Sequence, residues 1–268
     1  MSMSYRPNSD VSWMVVAWLL LIASGAFTTG LLRAPLGRPG LSPATLTSHI
    51  VVGAALGLII VTHLLRTRHT KQLTPVALIA AAIAVGWFAS RSFAPLTVAG
   101  HAALAAYAIV ALVGPSGAPS SAVASTQSPR TWKAWTARLG FVLLLIQIAL
   151  GALVRHQLMP VVWHLLAAGL AALAVLVPAV AITQEPLATA DERLAARGAI
   201  ASLLVQVSLG VAVLFMILIG TPNTLIWLVT TVSHVVVGSL TLLAVARLTH
   251  VLEARSVHNT TTGARAIP

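Results

Sequence analysis

Between residues 13 and 247, apolar runs alternate with short polar breaks. A helix that crosses the hydrocarbon core of a bilayer needs about 20 apolar residues. Eight segments meet that length, at 13–32, 45–66, 75–93, 97–114, 135–155, 161–182, 198–219 and 225–247. The pattern predicts an all-α integral membrane protein of eight transmembrane helices. The leader MSMSYRPNSD is polar and no cleavage site follows it, so the first run reads as a membrane helix rather than a removed signal.

The longest break is GPSGAPSSAVASTQSPR (114–130), which has linker composition. It divides the chain into an N-terminal four-helix bundle (1–114), a cytoplasmic linker (115–131), a C-terminal four-helix bundle (132–252) and a cytoplasmic tail (253–268). The two halves read as a parallel pseudo-repeat. QIALG (147–151) in the fifth segment is matched by QVSLG (206–210) in the seventh. The even segments open SHIVVGAALGLII, GHAALAAYAIVAL, WHLLAAGLAALAV and SHVVVGSLTLLAV. Each begins with a small residue or Trp, then a histidine, then an apolar run rich in Ala and Gly.

Composition supports the membrane reading. Hydrophobic residues make up 58% of the chain and charged residues 8%, against roughly 25% charge in a soluble domain, and mean hydropathy is +0.94. The net charge of +11 does not signal nucleic acid, because the sixteen basic residues are scattered singly between apolar runs. With no cysteine, disulfides, thiolate metal sites and Cys nucleophiles are excluded.

Counting Lys and Arg by side gives twelve on the face shared by the termini and four on the other, namely Arg33, Arg38, Arg91 and Arg155. The positive-inside bias then places both termini in the cytoplasm, and the inner (plasma) membrane of a cell is the expected location. All five carboxylates (Asp10, Glu185, Asp191, Glu192, Glu253) fall outside the spans or at their cytoplasmic ends. Trp87, Trp163 and Trp227 lie at the outer boundary, where an aromatic belt accounts for them.

The even segments all enter from the outer side, so His49, His101, His164 and His234 share one depth just inside the outer face. A four-helix bundle with two facing histidines at one level can hold a haem edge-on, one imidazole on each face of the iron. His49 with His101, and His164 with His234, are thus candidate axial pairs. A single membrane histidine is more often a helix-packing residue, but four in register on alternate helices are hard to obtain by chance. Zinc is the lesser competitor, since two histidines without Cys or carboxylate make a poor zinc set. His63, His69, His250 and His258 read as cytoplasmic-boundary residues and His156 as an outer-loop residue. Haem propionates are anionic and would project towards the outer face. Arg33, Arg38 and Arg91 are candidate partners for them in the first half and Arg155 in the second, with ordinary loop arginines as the alternative.

QIALGALVRH followed by WHLLAAGL, and QVSLG followed by SHVVVGSL, resemble the haem A synthase family, which matures the haem of cytochrome oxidase. The resemblance is clearest over 140–247. It implies that the N-terminal bundle takes the substrate haem O between His49 and His101, converting it to haem A by oxidising a ring methyl to formyl. It also implies a haem B between His164 and His234 that relays electrons, and haem O synthase or oxidase assembly proteins as partners. The family carries a glutamate three residues before its first histidine and an arginine directly after it; these positions are Leu46 and Ile50 here. Oxidising a methyl to formyl needs proton traffic near the haem edge, and no Asp or Glu lies near the outer face. Three readings follow: a haem A synthase-like oxidoreductase, a non-enzymatic b-type cytochrome on the same scaffold, or a haem-free membrane protein whose histidines pack helices.

Overall fold

The computed structural model describes residues 9–32, 43–66, 73–92, 94–113, 131–220 and 225–263. Every regular element among them is an α-helix: α1 (Ser9–Leu32), α2 (Pro43–Arg66), α3 (Leu73–Ser92), α4 (Pro95–Val113), α5 (Thr131–Arg155), α6 (Val161–Thr183), α7 (Ala190–Leu218) and α8 (Leu225–Gly263). Each falls on one of the predicted apolar segments. Among the described residues, five stretches are long and apolar enough to cross a membrane: Pro95–Val113, Trp132–Arg155, Val161–Thr183, Ala190–Leu218 and Leu225–Ala254. Large apolar side chains stand exposed along them, including Leu96, Leu173, Phe215 and Leu218. A surface of that kind suits lipid, where apolar side chains cost nothing to expose. The predicted linker lies outside the described residues except for Thr131, as do Arg33, Arg38 and the chain beyond Gly263. Arg91 lies in α3, but its side chain is outside the described set.

Two helices extend past their apolar runs. Helix α7 begins eight residues before the predicted span because TADE (189–192) forms a capping box. Thr189 N–H donates to Glu192 Oε2 at 2.7 Å, and Glu192 N–H donates back to Thr189 Oγ1 at 3.2 Å. That reciprocal pair satisfies two backbone donors otherwise left open at a helix start. Helix α8 continues into the polar tail as far as Gly263. Helix α5 ends with Gln157 at φ 56°, while Gln157 N–H bonds Val154 O and Leu158 N–H bonds Leu153 O, both at 2.9 Å. This is the bond pattern of a Schellman cap, made here without the usual glycine.

The chain forms two compact units, Met1–Gly114 with Gln206–Ser239, and Pro115–Val205 with Leu240–Pro268. In the first, α1 packs on α2 and on α4, and α3 packs on the same two helices. Trp18, 2% exposed, donates its Nε1–H to Ala105 O at 2.7 Å and ties α1 to α4. Ile60, Ile79 and Ile109 are fully buried in the same unit. In the second unit α5 lies along α6, close enough that a Cβ on Gly140 would stand 2.9 Å from Val175 Cγ2 and 3.2 Å from the Ala174 backbone. Lys133 pairs with Glu185 at 2.7 Å, and Arg138 pairs with Glu253 of α8.

Candidate functional site

Each of the four register histidines packs on a glycine of the helix before it. An ideal Cβ would lie 2.7 Å from His49 Cε1 on Gly25 and 2.7 Å from His101 Cε1 on Gly86. It would lie 2.9 Å from His164 Cε1 on Gly151 and 3.0 Å from His234 Cε1 on Gly210. No side chain fits at these four positions without moving an imidazole. The arrangement recurs in every hairpin: a glycine on the odd helix, a histidine on the even one. Gly25 and Gly86 had no counterpart in the QIALG and QVSLG match. Their signal was present as a glycine on each of the odd apolar runs.

The glycines bring each ring close to the helix before it, and for His101 and His234 a backbone carbonyl of that helix orients the ring. In an α-helix the carbonyl of residue i−4 points at residue i, and its second lone pair is open to a donor that comes close. His101 donates Nδ1–H to Ala82 O, four residues before Gly86, at 2.9 Å. His234 donates Nδ1–H to Gln206 O, four residues before Gly210, at 3.1 Å. A carbonyl can only accept, so in the neutral ring Nδ1 carries the proton and Nε2 keeps its lone pair.

His49 reaches the same state through a relay. Ser24 donates its hydroxyl proton to Leu21 O at 2.8 Å, and Leu21 is four residues before Gly25. Its Oγ lies 3.0 Å from His49 Nδ1. The only proton on Oγ is already committed to Leu21, so Nδ1–H is the donor and Oγ the acceptor. Nε2 of His49 again holds a lone pair. Metal-ligating histidines characteristically donate their second ring N–H in this way, which fixes tautomer and ring plane.

The other ring nitrogen meets different surroundings in the two halves. Neither His49 nor His101 makes a hydrogen bond at Nε2 among the described residues. The side-chain amide Nε2 of Gln147 lies 3.0 Å from His164 Nε2, and that of Gln206 lies 3.2 Å from His234 Nε2. Gln147 and Gln206 stand four residues before their glycines, where the first half has Leu21 and Ala82. The Oε1 atoms of both glutamines are buried with no hydrogen-bond partner among the described residues.

His49 and His101 sit on diagonal helices of the α1–α4 ring of contacts. Arg155 ends α5, half-buried, and follows Gln147 and Gly151 at spacings of four that place all three on one helix face. His156 is in the turn after it. His63 is engaged elsewhere, its ring meeting Trp13 edge-on at 5.6 Å between centroids. Among the described residues no group of three or more His, Cys, Asp or Glu could hold a bare metal ion. The described carboxylates lie far from the histidines along their helices: Glu185 is past the end of α6, and Asp191 and Glu192 are in the first turn of α7. Comparison with protein-family models, curated proteins and solved structures finds no match for this chain.

Proposed function

We propose that the chain is a haem-binding protein of the cell's inner (plasma) membrane, with eight spanning helices in two four-helix halves and both termini cytoplasmic. His49, His101, His164 and His234 are the residues that would hold its iron. The observation that carries the reading is the tautomer. Nδ1–H of His49, His101 and His234 is spent on an acceptor of the preceding helix, so the outward nitrogen of each ring keeps the lone pair that iron requires. Glycines that bring a ring close to the preceding helix recur in all four hairpins. The donor set fits a porphyrin iron better than a bare metal ion, because imidazole nitrogens alone would suffice for an iron whose other ligands come from the macrocycle.

On this reading His49 and His101 would hold the substrate haem O for a haem A synthase-like oxidation of a ring methyl to formyl, by two hydroxylations and loss of water with the oxidant supplied from outside the chain, and His164 and His234 would hold haem B. A bound haem supplies one-electron chemistry at its iron. The protein contributes fixed imidazole planes, an apolar surround that excludes water, and basic side chains for the anionic propionates. The half-buried position of Arg155, one turn beyond Gly151, supports that role. Arg33, Arg38 and Arg91 fill it in the first half by their place in the sequence.

A second reading is favoured by one position. Leu46 stands where a proton-carrying glutamate is expected, and no carboxylate is near the histidine level to replace it. Without a proton carrier, the same scaffold serves as a b-type cytochrome that passes electrons or holds haem for a partner. The two readings are separated by mass spectrometry of haem extracted from protein produced together with a source of haem O. Haem A, or its hydroxylated precursor, lost in His49→Ala, supports the oxidoreductase. Haem B alone, diminished by His49→Ala or His164→Ala, supports the cytochrome. Absence of any haem rejects both.

A further inference from the structure

The haem reading treats all four histidines alike, yet two of them have a carboxamide against the nitrogen that would bind iron. We propose that Gln147 and Gln206 are displaceable caps on Nε2 of His164 and His234, so that these histidines take a porphyrin iron only by exchange, whereas His49 and His101 take it directly. The proposal rests on the haem reading for the identity of the ligand but not for the existence of the cap.

Gln206 shows the device most fully. Its backbone carbonyl accepts Nδ1–H of His234 at 3.1 Å, which leaves a lone pair on Nε2. Its own side-chain N–H₂ lies 3.2 Å from that lone pair and can only donate to it. One residue therefore sets the tautomer and then covers the nitrogen that the tautomer exposes. Gly238, one turn after His234, leaves room for the amide: a Cβ there would stand 3.0 Å from Gln206 Nε2. Gln147 stands in the same relation to Gly151 and lies 3.0 Å from His164 Nε2.

The caps are built to be given up. A buried amide whose oxygen has no partner carries an unmet hydrogen-bonding cost even while its nitrogen is engaged. Metal coordination replaces the capping bond with a stronger one, and the amide is then free to turn and find a partner for both its ends. In a low-dielectric interior the cap also keeps a ligand-free imidazole lone pair from being left bare. The apolar Leu21 and the methyl of Ala82 offer His49 and His101 no such bond.

The test follows ferric haem B uptake by the apo protein in detergent, monitored by stopped-flow at the Soret band. The comparison set is wild type, Gln147→Leu, Gln206→Leu, His49→Ala and His164→Ala. Two phases are expected, the fast one lost in His49→Ala and the slow one in His164→Ala. Each Gln→Leu variant should accelerate the slow phase about fivefold, roughly the factor one neutral hydrogen bond is worth, and leave the fast phase alone. Gln206→Met, matched in length, guards against a packing defect. A slow phase unchanged or further slowed in all Gln variants overturns the proposal, since the amides would then hold the ligand or do nothing.

Imidazole ¹⁵N NMR of the apo protein gives a readout that needs no haem. The His234 Nε2 resonance should shift in Gln206→Leu as it loses an accepted hydrogen bond, while that of His101 stays in place. If no variant takes up haem, the haem reading fails, and the shift alone then decides the cap: movement supports it and a fixed resonance overturns it.

Discussion

Set side by side, the hairpins α1–α2 and α3–α4 and the hairpins α5–α6 and α7–α8 share a histidine-on-glycine contact and differ in what stands one turn before the glycine. In the first pair that residue is Leu21 or Ala82; in the second it is Gln147 or Gln206. The contact sets where an imidazole sits and how its plane is held. Among the described residues, the residue one turn away decides whether its outward nitrogen is bare or hydrogen-bonded. One backbone device thus supports two kinds of histidine, one open and one capped. On the proposed haem reading, the open pair would take a ligand that enters and leaves, such as a substrate haem. The capped histidines suit a ligand that stays once the amide has been displaced.

The largest effect on this comparison should come from the rings themselves. If the proposed haem reading holds, His101→Ala abolishes haem binding at the open pair, while the absorbance assigned to His164 and His234 persists in the same Soret titration. Retention of full absorbance would mean that His101 is a packing residue.

Next in size are the glycines. In Gly86→Ala the new Cβ would stand 2.7 Å from both Cε1 and Nδ1 of His101, so the ring must leave Ala82 O. Haem affinity should fall by about 10- to 100-fold, as for the loss of an outer-shell partner. The apo protein should lose about 1–3 kcal/mol in thermal unfolding from overpacking. Gly210→Ala, with 3.0 Å to its nearest ring atom, should be milder on both measures. Equal effects would mean that the closer fit of the first half has no consequence.

Ser24→Ala probes the relay peculiar to His49. It leaves Nδ1–H without its acceptor at a cost of about 1–3 kcal/mol, and should weaken haem binding by about tenfold while His101, bonded directly to a carbonyl, is unaffected. Ser24→Thr, which keeps the hydroxyl, should restore it. Smallest and furthest from the histidines is Thr189→Ala. Loss of the capping box should cost about 1 kcal/mol in thermal unfolding with no change in haem binding.

Much of the helical framework was legible in the chain. Apolar length locates eight helices, because a segment in lipid must satisfy its backbone hydrogen bonds internally and helix is the local way to do so. The boundaries missed at α7 and α8 show the limit of that criterion. Thr189 and Glu192 extend α7 through a side-chain cap, and the helical tail of α8 is polar, so neither registers as hydrophobicity. The four histidines were also legible, since their recurrence on alternate segments is a pattern in one dimension.

What recurrence could not convey was the state of each ring. That depends on which atom of a neighbouring helix meets Nδ1 and which meets Nε2, at distances of about 3 Å set by helix packing rather than by sequence separation. Gly86 and His101 are 15 residues apart and Gly210 and His234 are 24 apart, yet the contact is the same. Chain chemistry alone determined that this is a helical protein suited to lipid, with one histidine level repeated four times. Only the packing of one helix on the next decided which nitrogen carries the proton, which glycine admits the ring, and which two histidines are covered by an amide. A hydrogen bond across helices exists only once both partners have been brought together in space.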